Sequence, residues 1–236
     1  MSGVAITYAA VAALANVLGA LAVTTGARWS MRALDRMLAF AAGFLLSVAF
    51  VELLPEAFAR GGRTGAAVAL GAFVLVHVTQ HSVGRHFHFG EERHTVSRVT
   101  SGSALIGLLM HTFVDGVAVA SGLLVSPAVG GLVFVGVVLH KLPEGLAISS
   151  LFLASGASKR AAVGAAGALG LATILGVALT GQIAGLQTYG IAISAGVTMY
   201  VGASNLVPEL QRRGGWETPL SFVAGCGAYA LARLAF

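Results

Sequence analysis

Two histidine–carboxylate pairs stand in otherwise apolar stretches of the chain. His111 and Asp115 are four residues apart in LLMHTFVDGVAVASG, and His140 and Glu144 are four residues apart in VVLHKLPEGLAIS. In a helix, this spacing puts both members of a pair on one face. Imidazole nitrogens and carboxylate oxygens are the ligands of borderline divalent ions such as zinc, iron(II), manganese and cobalt. The four side chains therefore predict a metal site shared by two neighbouring helices.

A structural explanation of the same residues is a buried polar network that only locks the two helices together. Unpaired charges at Asp115, Lys141 and Glu144 would cost roughly 8–10 kcal/mol near the centre of a bilayer. The sequence therefore requires a salt bridge, water or a bound cation beside them. Pro143 adds irregular backbone, because its ring cannot donate a hydrogen bond to the carbonyl of Leu139. Such backbone is tolerated where it lines a cavity, and a kink made for packing is the alternative.

The helices that must position these pairs are predicted to span a membrane. The 236-residue chain is 57% hydrophobic and 10% charged, with a mean hydropathy of +0.88, whereas soluble domains carry about 25% charged residues. Apolar runs of roughly 20 residues recur without the period of two that barrel strands need. We therefore predict an all-α polytopic membrane protein with a single transmembrane domain over residues 1–236. The eight predicted helices cover about 4–26, 36–58, 65–84, 103–124, 127–153, 161–184, 188–210 and 216–235, with a histidine-bearing cytoplasmic loop over 85–102.

Basic residues give the predicted orientation. The loops after helices one, three, five and seven hold ten lysines and arginines, and the opposite side holds three. The positive-inside rule then makes the odd loops cytoplasmic and places both termini outside. No basic residue precedes Arg28, so we predict that the first apolar run is an uncleaved span. The ten are Arg28, Arg32, Arg36, Arg85, Arg93, Arg98, Lys159, Arg160, Arg212 and Arg213, the three are Arg60, Arg63 and Arg233, and Lys141 lies within the membrane.

The composition also limits which binding partners and metal ions are expected. The net charge of +5 is explained by these short basic loops, so a lipid bilayer rather than nucleic acid is the expected partner. The single cysteine, Cys226, excludes an internal disulfide and a cysteine-based metal cluster. The lack of cysteine ligands argues against copper(I). The absence of organellar targeting and of large loops favours a bacterial plasma membrane, that is, the inner membrane.

The chain shows a sign of internal symmetry. Helix two ends in VELLPEA, residues 51–57, and helix seven ends in SNLVPEL, residues 204–210. Odd connectivity makes these helices run in opposite directions, as in transporters with inverted repeats. Chance similarity of one short motif is the alternative.

Taken together, the motifs resemble the ZRT/IRT-like (ZIP) family of divalent metal transporters. HTFVDG (111–116) is similar to the family's fourth-helix pattern His-Asn-x-x-Glu/Asp-Gly, and HKLPEG (140–145) to its fifth-helix pattern His-x-x-Pro-Glu-Gly. GFLLSVAFVELLPEA (43–57) resembles the second helix, which often reads His-Leu-Leu-Pro-Glu-Ala. The resemblance extends over essentially the whole chain.

The resemblance implies a fold and a mechanism. The expected fold has eight spans in an inverted 3+2+3 arrangement, and the expected assembly is a homodimer formed through scaffold helices. The expected activity is movement of zinc, or of Fe²⁺, Mn²⁺, Co²⁺ or Cd²⁺, into the cytoplasm, with no organic cofactor and no enzymatic activity. A transport bundle of helices one, four, five and six is expected to move like an elevator against a scaffold of helices two, three, seven and eight.

The same resemblance implies a primary metal site at His111, Asp115, His140 and Glu144, and a second site that uses positions 112 and 141. Thr112 stands where Asn is usual, and Lys141 stands where members with two adjacent metals carry Asn, Asp or Glu. A protonated lysine has three donors and no acceptor, so it is a poor ligand. We therefore expect that the Lys141 ammonium occupies the place of a second cation and that the protein binds one metal.

Other side chains could form the path of the ion. Glu52 and Glu56 are candidates for outer access, although Glu56 could instead pair with Arg60 one turn later. Asn205 and Glu209 are candidates for the inner exit, with an interfacial cap near Arg212 and Arg213 as the alternative. Five histidines at the end of helix three and in the following loop are candidates for metal capture on the cytoplasmic side, with a solvated loop as the alternative: His77, His81, His86, His88 and His94.

Other classes of protein would also place these residues in membrane helices. An intramembrane zinc-dependent hydrolase would use histidines and carboxylates around an activated water, but no separate general base and no nucleophile motif stands out. A metal channel and an exporter remain alternatives, because topology does not determine kinetics or transport direction.

Overall fold

The computed structural model describes residues 3–26, 30–83, 98–207 and 215–235, and within these ranges all regular structure is helical. Five helical segments are long and apolar enough to cross a membrane, and one of them runs from Arg32 to Thr79. These findings confirm the prediction of a polytopic helical membrane protein. The helices are α1 (Gly3–Thr24), α2 (Met31–Val48), α3 (Leu54–Val83), α4 (Arg98–Val125), α5 (Pro127–Ala154), α6 (Lys159–Thr180), α7 (Ala184–Tyr200) and α8 (Glu217–Ala235).

Helix ends follow local sequence signals. The sharp break between α4 and α5 lies at Ser126, whose hydroxyl accepts a hydrogen bond of 3.1 Å from the backbone N–H of Val129. Pro127 follows at the first position of α5, where its missing N–H costs no helical hydrogen bond. Ser30 and Ser158 cap α2 and α6 in the same way. The Ser126 cap fixes where α4 ends and α5 begins, and these two helices carry the histidine–carboxylate pairs.

Several helix boundaries differ from the approximate ones predicted. α4 begins at Arg98, so the last five residues of the predicted loop 85–102 are helical, and no proline or turn motif interrupts them. The predicted loop between helices two and three is reduced to a kink, because Gly62 alone leaves helical geometry, at φ 52° and ψ −136°. A positive φ is accessible to glycine at little steric cost, so one residue changes the direction of the chain.

Wide π-helical turns precede two prolines. Ala49–Leu53 forms the first, with the N–H of Leu54 donating to the carbonyl of Ala49, and Pro55 follows. Val201–Leu206 forms the second, with the N–H of Val207 donating to Gly202, directly before Pro208 in the sequence. A proline ring collides with the carbonyl four residues earlier in a regular helix. A wider turn relieves that collision, and π-turns of this kind are frequent at functional sites.

The helices pack as two groups. In the first group, α1, α4, α5 and α6 contact one another, and the most extensive pairs are α1 with α5 and α4 with α6. In the second group, α2 packs on α8 and α3 packs on α7. The two groups meet where α4 contacts α7 and where α2 contacts α5. The helices that carry both histidine–carboxylate pairs therefore belong to the first group.

Close backbone contact between α4 and α6 depends on a pair of glycines. A Cβ at Gly116 would overlap the backbone oxygen of Thr173, and a Cβ at Gly176 would overlap that of Phe113. Small residues allow membrane helices to approach in this way, because lipid supplies no hydrophobic drive for helix association. Gly116 directly follows Asp115, so this contact fixes the depth at which the Asp115 carboxylate lies.

We expect Gly116→Ala to destabilise the protein by about 1–3 kcal/mol, the usual effect of overpacking against atoms that cannot move aside. The colliding atom belongs to the backbone of α6, so no rotamer change relieves the contact. Thermal unfolding of the detergent-solubilised protein measures the effect. Gly167→Ala on α6 is the matched control, since its added Cβ would meet no atom within 4 Å. Equal melting temperatures for the two variants would contradict the assigned role of Gly116.

Candidate metal site

α4 and α5 bring all four predicted ligands together. One ligand atom from each of His111, Asp115, His140 and Glu144 lies within 4.8 Å of the others. Asp115, His140 and Glu144 are buried, and the His111 side chain is only 11% exposed. The four-residue spacing within each helix puts each pair on one face, and the Ser126 break turns the two faces toward each other. The predicted convergence of the two pairs is present in the structure.

One oxygen lies at the centre of the cluster. Asp115 Oδ2 is 3.3 Å from His111 Nε2 and 3.2 Å from His140 Nε2. His140 Nε2 is also 3.9 Å from Glu144 Oε2. On its other side, His140 Nδ1 is 3.0 Å from the carbonyl of Gly136, which can only accept a hydrogen bond. Nδ1 therefore donates, which leaves Nε2 as the ring nitrogen that can bind a metal.

Lys141 lies inside the cluster and contacts both of its carboxylates. Its Nζ donates to Asp115 Oδ2 at 2.6 Å and to Glu144 Oε2 at 2.8 Å. The side chain is fully buried. The ammonium therefore joins a carboxylate of α4 to a carboxylate of α5 and offsets one of their two negative charges. With neutral histidines, the site keeps a net charge of −1 that can attract a cation.

Two polar atoms of the site lack hydrogen-bond partners within the described part of the chain. They are His111 Nδ1 and Glu144 Oε1, and both are buried. Buried polar atoms in native proteins nearly always have a partner, which can be water or an ion. The unmet capacity of these two atoms fits a site that completes its contacts when it is loaded.

Thr112 is buried beside the cluster, but its hydroxyl is directed to its own helix. It donates toward the carbonyls of Leu108 and Leu109, at 3.0 and 3.1 Å. Its role in a second metal site stays a prediction without a supporting contact.

The two glutamates predicted for outer access both have cationic partners. Tyr229 donates a hydrogen bond of 2.5 Å to Glu52 Oε1, and Arg233 Nε lies 3.0 Å from the same oxygen. Glu56 accepts from Arg60 Nε at 2.5 Å, as the alternative interpretation of that residue expects. Neither glutamate joins the central cluster. The bond of Glu52 to α8 is a contact that sequence reasoning missed, although Tyr229 and Arg233 are four residues apart and so share a face of that helix.

The candidate exit residues are only partly within the described structure. His77 lies on α3 with its ring 5.9 Å from that of buried Tyr200. The backbones of His81 and Asn205 are helical, and Asn205 belongs to the second π-turn. The remaining candidates, Glu209, His86, His88 and His94, lie outside the described residues.

Sequence reasoning also missed Asn16 on α1. Its backbone lies directly against Gly145, the residue after Glu144. The available signal was a single amide in the middle of a 22-residue apolar helix, since polar side chains inside membrane helices are usually functional.

The chain is similar in sequence to known proteins. The family model described as ZIP Zinc transporter matches residues 76–231, a range that includes both histidine–carboxylate pairs. A curated protein named Zinc transporter ZupT, from Stenotrophomonas maltophilia (strain R551-3), is 31% identical over 259 aligned positions. The alignment covers 99% of this chain and 96% of that relative.

We expect Lys141→Met to destabilise the metal-free protein by about 3–5 kcal/mol, the usual result of removing one partner from a buried ion pair. The variant leaves Asp115 and Glu144 facing each other without a cation. Thermal unfolding in detergent with a chelator measures the loss, and added zinc should restore more stability than it gives the wild type. Lys159→Met, at an exposed position on α6, is the control. An unchanged melting temperature for metal-free Lys141→Met would contradict the bridging role.

Proposed function

The chain belongs to the ZIP family of zinc transporters, and from this membership we propose that it carries zinc into the cytoplasm through the site between α4 and α5. The observation that carries the proposal is the convergence of two imidazoles and two carboxylates in the interior of the first helix group. Fe²⁺, Mn²⁺, Co²⁺ and Cd²⁺ are the other candidate substrates, since selectivity depends on geometry and availability as well as on ligand type. The family indicates a transporter rather than a hydrolase.

The ligand set can both hold and release a dehydrated cation. Two carboxylates and two neutral imidazoles bind a divalent ion strongly near neutral pH. Protons compete for the same atoms, so affinity falls as the pH is lowered. Transport linked to proton movement is consistent with such a site.

We propose a single-metal site, because Lys141 occupies the position of a second cation. Its ammonium lies 2.6 Å from Asp115 Oδ2 and 2.8 Å from Glu144 Oε2, less than about 1 Å farther than the bonds of about 2.0–2.2 Å that a second zinc would make to the same carboxylates. A further divalent ion there would face a like charge and would have to displace two charge-assisted hydrogen bonds.

The inverted 3+2+3 arrangement is supported by the way the helices pair. An inverted 3+2+3 repeat relates α1 to α6, α2 to α7, α3 to α8 and α4 to α5. The contact of α1 with α5 then becomes that of α6 with α4, and α2 with α8 becomes α7 with α3. The contact of α2 with α5 becomes that of α7 with α4. Each of these main contacts thus has a counterpart, as a repeat in two orientations requires.

Backbone contacts follow the same exchange residue by residue. A Cβ at Gly145 of α5 would overlap the oxygen of Asn16 on α1, and a Cβ at Gly116 of α4 would overlap the oxygen of Thr173 on α6. The π-turns before Pro55 and Pro208 are a further matched feature, at the motifs VELLPEA and SNLVPEL. These correspondences favour a repeat over chance similarity of one motif.

We propose that the first helix group is the transport bundle and that the second is the scaffold. The bundle has its own dense internal packing and meets the scaffold through α4–α7 and α2–α5. Movement of a rigid bundle along these two contacts would carry the site from one side of the membrane to the other. The homodimer, the bacterial inner membrane and the outside termini complete this proposal.

Outer access through Glu52 would require its release from Tyr229 and Arg233. The exit roles of Asn205, Glu209 and the histidines of α3 and its following loop stay predictions of the same scheme.

The proposed function is tested by zinc uptake into proteoliposomes. We expect saturable uptake by the wild type and loss of uptake in His140→Ala and Glu144→Gln, because each removes a ligand of the central cluster. Lys141→Ala should change affinity without abolishing transport, since Lys141 is not a ligand. Uptake that rises linearly with zinc concentration would favour a channel, and hydrolysis of lipid or peptide without ion movement would favour an enzyme.

Calorimetric titration of the purified wild type with zinc measures how many zinc ions each chain binds, which tests the single-metal proposal. One zinc per chain at the central site is expected, and two metals within about 4 Å of each other beside Lys141 would refute the single-metal proposal.

The elevator proposal is tested by joining the bundle to the scaffold. A Cβ at Gly190 of α7 would lie 3.4 Å from the Cβ of Ser121 on α4, close to the spacing of about 3.5–4.5 Å in disulfides. In a Cys226→Ser background, we expect oxidised Ser121→Cys/Gly190→Cys protein to lose zinc uptake. A reductant should restore it, and oxidised Ser121→Cys alone is the control. Full uptake by cross-linked protein would show that this contact does not have to slide.

A further inference from the structure

Asn16 is a buried amide that has no hydrogen-bond partner in the part of the chain that the structure describes. It lies in the middle of α1 and is 0% exposed. Neither its amide oxygen nor its amide nitrogen has a hydrogen-bond partner among residues 3–26, 30–83, 98–207 and 215–235. An amide left in this condition is destabilising, because one acceptor and two donors are removed from water without replacement.

The position of Asn16 connects it to the metal site. Its Cα, carbonyl carbon and oxygen are the atoms nearest to a Cβ that would be placed on Gly145, so the two backbones touch. Glu144 precedes Gly145, and its Oε1 is itself buried without a partner in the described ranges. Two unsatisfied polar groups therefore come from adjoining helices at the same level of the bundle. They do not hydrogen-bond to each other within the described residues, and one small polar species between them would satisfy both.

The symmetry-related position shows what a structural residue does there. Thr173 has the same relation to Gly116 that Asn16 has to Gly145. Its hydroxyl is already satisfied, since it donates to the carbonyl of Leu169 at 3.3 Å. A polar side chain at this point of the repeat can thus be accommodated within its own helix. Asn16 is not accommodated in this way, which separates it from a residue that serves packing alone.

We propose that Asn16 is a positioning residue of the substrate site and that it holds a water of the bound cation's hydration shell beside Glu144. The amide oxygen accepts a hydrogen bond from this water, and Glu144 Oε1 accepts the other. The inference rests on the proposed transport of divalent metal through this site. The water held by Asn16 adds one oxygen ligand to a cluster of two imidazoles and two carboxylates.

A water held in this way affects which ion is preferred. Water and carbonyl oxygen suit manganese better than they suit softer ions, whereas imidazole suits zinc. Loss of the Asn16 amide should therefore weaken manganese binding more than zinc binding. Packing alone would not change the ratio of the two affinities.

The test uses the full-length protein in detergent, with zinc and manganese as separate probes. Leucine has nearly the same size as asparagine but lacks the amide. In Asn16→Leu we expect zinc affinity to fall about five- to tenfold, as the loss of one hydrogen bond would cause. Manganese affinity should fall by more. In the presence of a chelator, the same variant should unfold at a higher temperature than the wild type, because an unsatisfied buried amide has been removed.

Two further variants keep the result interpretable. Thr173→Val is the matched control and should leave both affinities unchanged. Asn16→Ser is smaller and retains a hydroxyl, so it should fold even if Asn16→Leu does not, and it should still bind zinc more weakly than the wild type. Unchanged affinities in Asn16→Leu, or in Asn16→Ser where the former does not fold, would overturn the role of Asn16. Absence of zinc binding by the wild type would instead refute the proposed function.

Discussion

A carboxylate in the interior of a membrane protein has to be matched by positive charge, and in this chain the match is made between two helices. Asp115 of α4 and Glu144 of α5 share one ammonium, that of Lys141. Breaking such a buried pair is costly, because an uncompensated charge remains in a medium of low dielectric constant. The relative depth and rotation of α4 and α5 are therefore held by electrostatics even without a bound metal. The histidines then have fixed positions around Asp115 Oδ2, so the cluster is assembled without a bound ion.

Helix packing in the same region also restricts the positions of α4 and α5. Gly116 and Gly145 follow the two carboxylate residues directly, and each brings its helix into backbone contact with a neighbour, α6 in one case and α1 in the other. A small residue next to a charged one allows the charge to lie deep in the bundle without leaving a gap around it. The repeated order of carboxylate and glycine in HTFVDG and HKLPEG thus supplies both a carboxylate and its placement in the bundle. The consequence is a bundle whose interior is polar at one level and closely packed around that level.

Sequence reasoning was sufficient where the signal was local. The spacing of His111 and Asp115, repeated in His140 and Glu144, predicted which four side chains converge, because residues four apart in a helix lie on one face. The Ser126–Pro127 pair gave the break that brings the two helices together. Both signals depend on a few adjacent residues, and tertiary structure did not override them.

Features that depend on distant residues were not predictable in the same way. The partnership of Glu52 with Tyr229 joins positions 177 residues apart, and only the packing of α2 on α8 brings them together. The sequence around Gly62, RGGRT (60–64), was predicted to be a loop, because it is polar and rich in glycine. The structure has a kink at one residue there. That Asn16 has no hydrogen-bond partner among the described residues depends on the packing around it, whereas the sequence showed only that an amide stood in an apolar helix.

The ammonium of Lys141 also has an electrical consequence for a site that crosses the membrane as proposed. With neutral histidines, the empty site carries about one negative charge, and the site loaded with a divalent ion carries about one positive charge. Without the lysine, the empty site would carry two negative charges and the loaded site none. An interior-negative potential contributes about 2.3 kcal/mol per charge per 100 mV, and it would favour both inward movement of the loaded site and outward return of the empty one. In the proposed cycle, Lys141 would thus divide the work done by the membrane voltage evenly between the inward and outward movements, instead of concentrating it in the return of the empty site.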